Sequence, residues 1–121
     1  MPLELVNLSE INLNELPEKK AVYAIFAQDK ETKKPINCRY VGETDNLMER
    51  IKAHFSIETD NLMERIKAHF SIEEQNECLK SFMQSSKKKL MIYELMPNST
   101  KEDRLIKEKE WISSYQPKCN E

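Results

Sequence analysis

The sequence predicts a small α/β domain built on a short, mostly antiparallel three-stranded sheet flanked by helices. Three observations carry this. The 121 residues suffice for one domain with its own core and are too few for two ordinary ones. Apolar residues make up 39% and charged residues 33%, a soluble globular balance. Short β-branched and aromatic runs then alternate with segments of helical period.

Taken in order, residues 1–20 carry scattered leucines without a clear period and read as an irregular or short helical lead-in. Ala21-Val-Tyr-Ala-Ile-Phe-Ala27 reads as a strand. A polar stretch from Gln28 to Asn37 follows, and Cys38-Arg-Tyr-Val41 returns, which predicts a hairpin with a long tip. Asp45 or Asn46 can cap a helix, and Glu49 stands three after Asn46 as in a capping box. Leu47, Met48, Ile51 and Phe55 give that helix one apolar face. Ser71 with Glu74 starts a helix through about Gln84, and Leu90 to Met96 forms a third strand. Ser99 with Glu102 caps a last helix that ends before Pro117.

An internal repeat interrupts this plan. Residues 43–57 and 58–72 are identical tandem copies of ETDNLMERIKAHFSI. Repeat folds diverge between units, so one perfect copy in a non-repetitive chain marks a recent or introduced duplication. Removing one copy of 15 from 121 residues leaves a domain of 106 and moves the net charge only from −2 to −1. A helix of fifteen residues spans about 22 Å and overshoots four turns by about 60°. The second copy therefore either leaves the body as an excursion or carries the downstream elements to another molecule. Copy 1 directly follows Tyr40-Val41-Gly42 and is expected in the native helix position, with Arg65 and His69 of copy 2 spare. The additional apolar positions lead us to expect self-association, as a homodimer or a domain-swapped oligomer.

Several functions are excluded. The longest apolar run covers seven positions, against about 18 needed to cross a bilayer. A single glycine, Gly42, where roughly eight are usual, argues against glycine-rich phosphate loops. The only histidines are His54 and its copy His69, too few in one domain for a multi-histidine metal cage. Three cysteines (Cys38, Cys78, Cys119) without CxxC spacing read as reduced thiols in a cytoplasmic protein that has no secretory leader. The near-neutral charge means that attraction to nucleic acid must be local, from Lys87, Lys88 and Lys89 or from Lys30, Lys33 and Lys34.

Some residues break the structural pattern. Arg50 and His54 are four apart and share a helix strip, one suited to phosphate oxygens, the other to proton transfer near neutral pH. Glu108 falls on the stripe of Leu105, Ile112 and Tyr115, where a carboxylate is costly to desolvate unless it meets a cation or metal.

Taken in order, Tyr23, Tyr40-Val41-Gly42, Arg50, His54, Glu108 and Asn120 resemble a GIY-YIG nuclease domain over residues 20–120. Gly42, Asn46, Leu47, Arg50 and His54 match the family's spacing through its first helix. Glu108 precedes Trp111 by three, and Pro117-Lys-Cys-Asn120 matches the family's closing Pro-x-x-Asn. Two departures are Ala21 in place of a glycine and the duplication inside the helix that carries Arg50 and His54. The resemblance implies DNA phosphodiester hydrolysis with one divalent ion, Mg2+ or another such as Mn2+, held by Glu108. It implies that Arg50 steadies phosphate charge and that Tyr23, Tyr40 and His54 orient or deprotonate water. Asn120 would brace the site, while Gly42 and the Lys87–Lys89 cluster would meet substrate. A nucleic-acid-binding module that no longer cuts, or a duplication variant whose activity is lost, fits the same motifs.

Overall fold

The computed structural model describes residues 3–55 and 77–120. Four strands form one antiparallel sheet in the order β1-β4-β2-β3: β1 Glu4–Asn7, β2 Ala21–Gln28, β3 Pro35–Thr44 and β4 Lys89–Leu95. The helices among the described residues are α1 Leu47–His54, α2 Glu77–Gln84 and α3 Lys101–Tyr115, with a 3₁₀ turn at Leu13–Glu15.

β2 lies between β4 and β3, and residues 21–27 are buried, because both of its faces are covered. That is why its sequence is continuously apolar rather than alternating. Its odd positions, Tyr23, Ile25 and Ala27, join a core with Leu47 and Ile51 of α1 and Leu79, Phe82 and Met83 of α2. Its even positions, Val22, Ala24 and Phe26, join a second core with Val41 and Trp111 of α3.

A register shift around Phe26 places Tyr40 opposite Ile25 and Cys38 opposite Phe26, leaving Arg39 as the extra residue of a bulge. The bulge reverses the alternation of β3. Tyr40 packs against the α1/α2 core while Cys38 belongs to the α3 core.

Four expectations are corrected. The lead-in contributes strand β1, which pairs with β4, so the sheet has four strands. β1 is only four residues long, and its pairing partner lies more than 80 positions away, beyond local sequence patterns. The last helix is capped one residue later than expected, by a reciprocal Thr100–Asp103 box. Ser99 is instead engaged in the preceding turn, donating to the Met96 carbonyl at 2.6 Å and accepting from Arg104 at 3.0 Å. Leu105 is 37% exposed, since the buried stripe of α3 runs through Arg104 and Trp111. Finally, the three cysteines are not all thiols. Cys78 and Cys119 form a disulfide, their Cα atoms 5.3 Å apart, within the ordinary range for such a bridge. The cytoplasmic placement loses the support it drew from reduced thiols. Cys38 remains a thiol, pushed up to about 11 by burial and therefore unreactive.

Asn46 caps α1 as expected, accepting from the Glu49 N–H at 3.1 Å. The start proposed at Ser71, the whole of copy 2 and the end of copy 1 lie outside the described residues. No helix among the described residues is long and apolar enough to cross a membrane.

Candidate active site

The hairpin β2–β3 and helix α1 bring four of the sequence-predicted residues together. Tyr23 pairs with Gly42 across the strands, and Tyr40 stands two residues before Gly42 on the same face. The Asn46 cap starts α1 immediately after β3, so Arg50 and His54, one helical turn apart, face the two tyrosines.

The Tyr23 hydroxyl lies 2.7 Å from His54 Nε2, a hydrogen bond whose direction follows the imidazole tautomer. The Tyr23, Tyr40 and His54 rings are mutually tilted, with centroids 5.3 to 6.1 Å apart. Arg50 stands close to both tyrosine oxygens. Burial works against its charge, and the Coulombic pull of the Tyr23 and Tyr40 oxygens more than offsets it, so its pKa is raised. Burial is graded through the cluster. Tyr23 and His54 are 0% and 1% exposed, whereas Tyr40 and Arg50 are partly exposed. Solvent therefore reaches the cluster at Tyr40 and Arg50.

Gly42 is the floor of this arrangement. A Cβ there would meet the Tyr23 hydroxyl oxygen at 2.6 Å and the Tyr40 ring at 2.8 Å. The space left by the absent side chain is occupied by the two tyrosine rings.

The outer edge of β3 is covered next to the cluster. The Lys118 and Cys119 N–H groups donate to the Cys38 and Arg39 carbonyls at 2.9 and 2.7 Å. The Asn120 side chain then takes both backbone groups of Val41, accepting from its N–H and donating to its carbonyl, each at 2.8 Å. Val41 lies between Tyr40 and Gly42, so Asn120 braces the strand that carries them.

Glu108 lies on the other side of the sheet, half-buried beside Glu43, whose cross-strand partner Val22 belongs to the α3 core, and it stands four after Arg104 and three before Trp111 on α3. Burial, followed by the neighbouring Glu43 carboxylate, raises its pKa. The Glu43 carboxylate is itself paired with Arg104 at 3.0 Å. Of the two carboxylates, Glu108 is the one without an ion pair to Arg104. Arg104 was missed in the sequence, although its place on the stripe, four before Glu108, was a readable signal.

The lysines divide. Lys87 and Lys88 are exposed and line a cleft at the tip of the β2–β3 hairpin. Lys89 is 4% exposed and turned inward, donating to the carbonyls of Ser85 and Lys87 at 2.9 and 2.5 Å. Its ammonium closes that turn, whereas those of Lys87 and Lys88 face solvent.

No family model and no curated protein sequence matches the chain. Among solved structures it is similar to the GIY-YIG N-terminal endonuclease domain of UvrC from Thermotoga maritima. Two point mutants of that domain bound to its catalytic divalent cation align over 90% of each chain, at 17% identity and a TM-score of 0.47. A third aligns over 90% of this chain and 91% of that one, at 16% identity and a TM-score of 0.44.

Proposed function

We propose that the chain is a GIY-YIG-type endonuclease that hydrolyses DNA phosphodiester bonds with a divalent cation. The observation that carries this reading is the convergence of Tyr23, Tyr40, Arg50 and His54 on the glycine of their own motif, with the Arg50 charge beside both phenols. A partly exposed guanidinium beside two phenols offers a planar donor fork to a phosphate.

The graded burial suggests a division of labour. Tyr40 and Arg50, which reach solvent, would meet the phosphate and the attacking water. Tyr23 and His54, hydrogen-bonded beneath them, hold the Tyr23 oxygen and can receive or return a proton there. Asn120 acts only through Val41 and is a positioning residue.

The residues present suit a hard divalent cation such as Mg2+ or Mn2+. Glu108 offers one half-buried carboxylate beside a second negative charge, Glu43. Magnesium needs few protein ligands because it keeps several waters. When bound, the ion would supply charge stabilisation to the phosphate oxygens.

The test is cleavage of supercoiled and branched DNA in Mg2+ beside the Glu108→Gln protein. Cleavage by the natural sequence and its loss by at least about a thousandfold in the variant are expected, the scale of removing a major electrostatic contributor. Equal cleavage by both proteins would mean a contaminant and overturn the reading.

A further inference from the structure

A second charged feature lies away from the catalytic cluster. Two lysine groups far apart in sequence, Lys30 and Lys33 on the hairpin tip and Lys87 and Lys88 before β4, line one cleft of about 750 Å³ together with Arg39. The same lining contains two carboxylates, Asp29 and Glu31, which leaves three net positive charges in a chain whose overall charge is −2. Asp29 is turned into its own loop, where it accepts the Glu31 and Thr32 N–H groups at 2.8 and 2.9 Å. The four lysines are exposed.

Arg39 supplies an independent observation. It is the extra residue of the β3 bulge, its guanidinium lies 4.9 Å from the Phe82 ring centroid, and its Nε is buried without a hydrogen-bond partner. An unsatisfied buried donor is costly, and an anionic oxygen entering the cleft would relieve that cost.

The cleft also has a defined relation to the catalytic cluster. Its floor includes Ala27, which shares a sheet face with Tyr23 four residues earlier on β2. At about 3.3 Å per residue the two are some 13 Å apart, a span of about four nucleotides at 3.4 Å of rise. We propose that this cleft is a phosphate-backbone clamp that holds the DNA strand about four nucleotides from the bond being cut. The proposal rests on the nuclease reading for its choice of DNA, and its test does not depend on cleavage.

The test is fluorescence anisotropy of a labelled DNA duplex with the full chain in EDTA, over a series of salt concentrations. Lys33→Glu and Lys88→Glu are compared with Lys19→Glu, an equal charge change on the segment that leads into the opposite end of β2. Each cleft variant should weaken binding several-fold and make the salt dependence shallower by about 1 in log–log slope, as for loss of one phosphate contact. Lys19→Glu should leave the slope unchanged. Unchanged binding in the cleft variants, or equal loss in all three, would overturn the clamp. So would binding to anionic phospholipid vesicles and not to the duplex at the same salt. A natural chain that fails to cut in Mg2+, while both cleft variants lose binding, would sink the nuclease reading and leave the clamp standing.

Discussion

The two faces of the central strand are equally dry and chemically opposite. On the α3 face, Val22, Ala24 and Phe26 meet carbon, with the aromatic rings packed edge to face: Phe26 against Tyr115 at 5.2 Å and Trp111 against Tyr115 at 5.8 Å. On the α1/α2 face, Tyr23 brings a hydroxyl into the core and must be met by His54 and Arg50. Burial of carbon is non-directional, while burial of a polar group holds only if its partners are placed within a few tenths of an ångström. The polar face should therefore be the less tolerant one, and it is fastened by devices the carbon face lacks. The Cys78–Cys119 bridge ties α2 to the C-terminal segment, and Asn120 locks that segment to β3.

The largest effect expected from breaking this asymmetry comes from the bridge. With the two cysteines 41 positions apart, the chain-entropy argument gives about 4 kcal/mol of stability. Urea unfolding with and without reductant should show a loss of that order. The single tryptophan, Trp111, sits on the opposite face, so its fluorescence in the folded, reduced protein should stay native-like. A change in Trp111 emission at zero denaturant would mean that the two faces do not behave separately.

Gly42→Ala tests the geometric tolerance of the polar face directly. Tyr23 is buried and held by His54 and Arg50, so a new methyl at 2.6 Å from its oxygen displaces both tyrosine rings. A displacement approaching 1 Å in a catalytic constellation costs about a hundredfold in rate. Cleavage of supercoiled DNA within twofold of the natural protein would show that the tyrosine positions do not matter to the reaction.

The polar face was legible in the sequence for the same reason that it is intolerant. Tyr23, Tyr40, Gly42, Arg50 and His54 are fixed by short spacings along one hairpin and one helix, and short spacings survive in a linear reading. Glu108 was flagged because a carboxylate on an apolar stripe is a local contradiction. What escaped is non-local. β1 declares itself only through β4, and Cys78 meets Cys119 only once the C-terminal segment has folded back along β3. Arg39 reads as an ordinary strand residue until the bulge turns it onto the same face as Tyr40. Lys89 looks like its neighbours Lys87 and Lys88, and only the turn it closes sets it apart. Leu105 illustrates the opposite error, since an apolar residue on a helix need not face the core, and α3 rotates its stripe to bury Arg104 against Glu43 instead.

The smallest expected effect concerns Glu108, on the α3 side of the sheet. Its pKa is raised in the folded state by burial and by Glu43, so folding favours its protonated form. Any contribution it makes is therefore present at low pH and lost as pH rises through the folded-state value, so at neutral pH the ionised carboxylate is a modest liability. Glu108→Gln keeps the size and shape of the side chain and removes the charge. It should melt slightly above the natural protein at pH 7, with the gap closing as the pH falls through the carboxylate range. Adding Mg2+ should raise the natural protein's melting temperature at pH 7 and leave that of the variant unchanged, because a ligand that binds only the folded state stabilises it. A variant that melts lower than the natural protein at pH 7 would show that Glu108 serves the fold, and the carboxylate would lose its claim to a functional role.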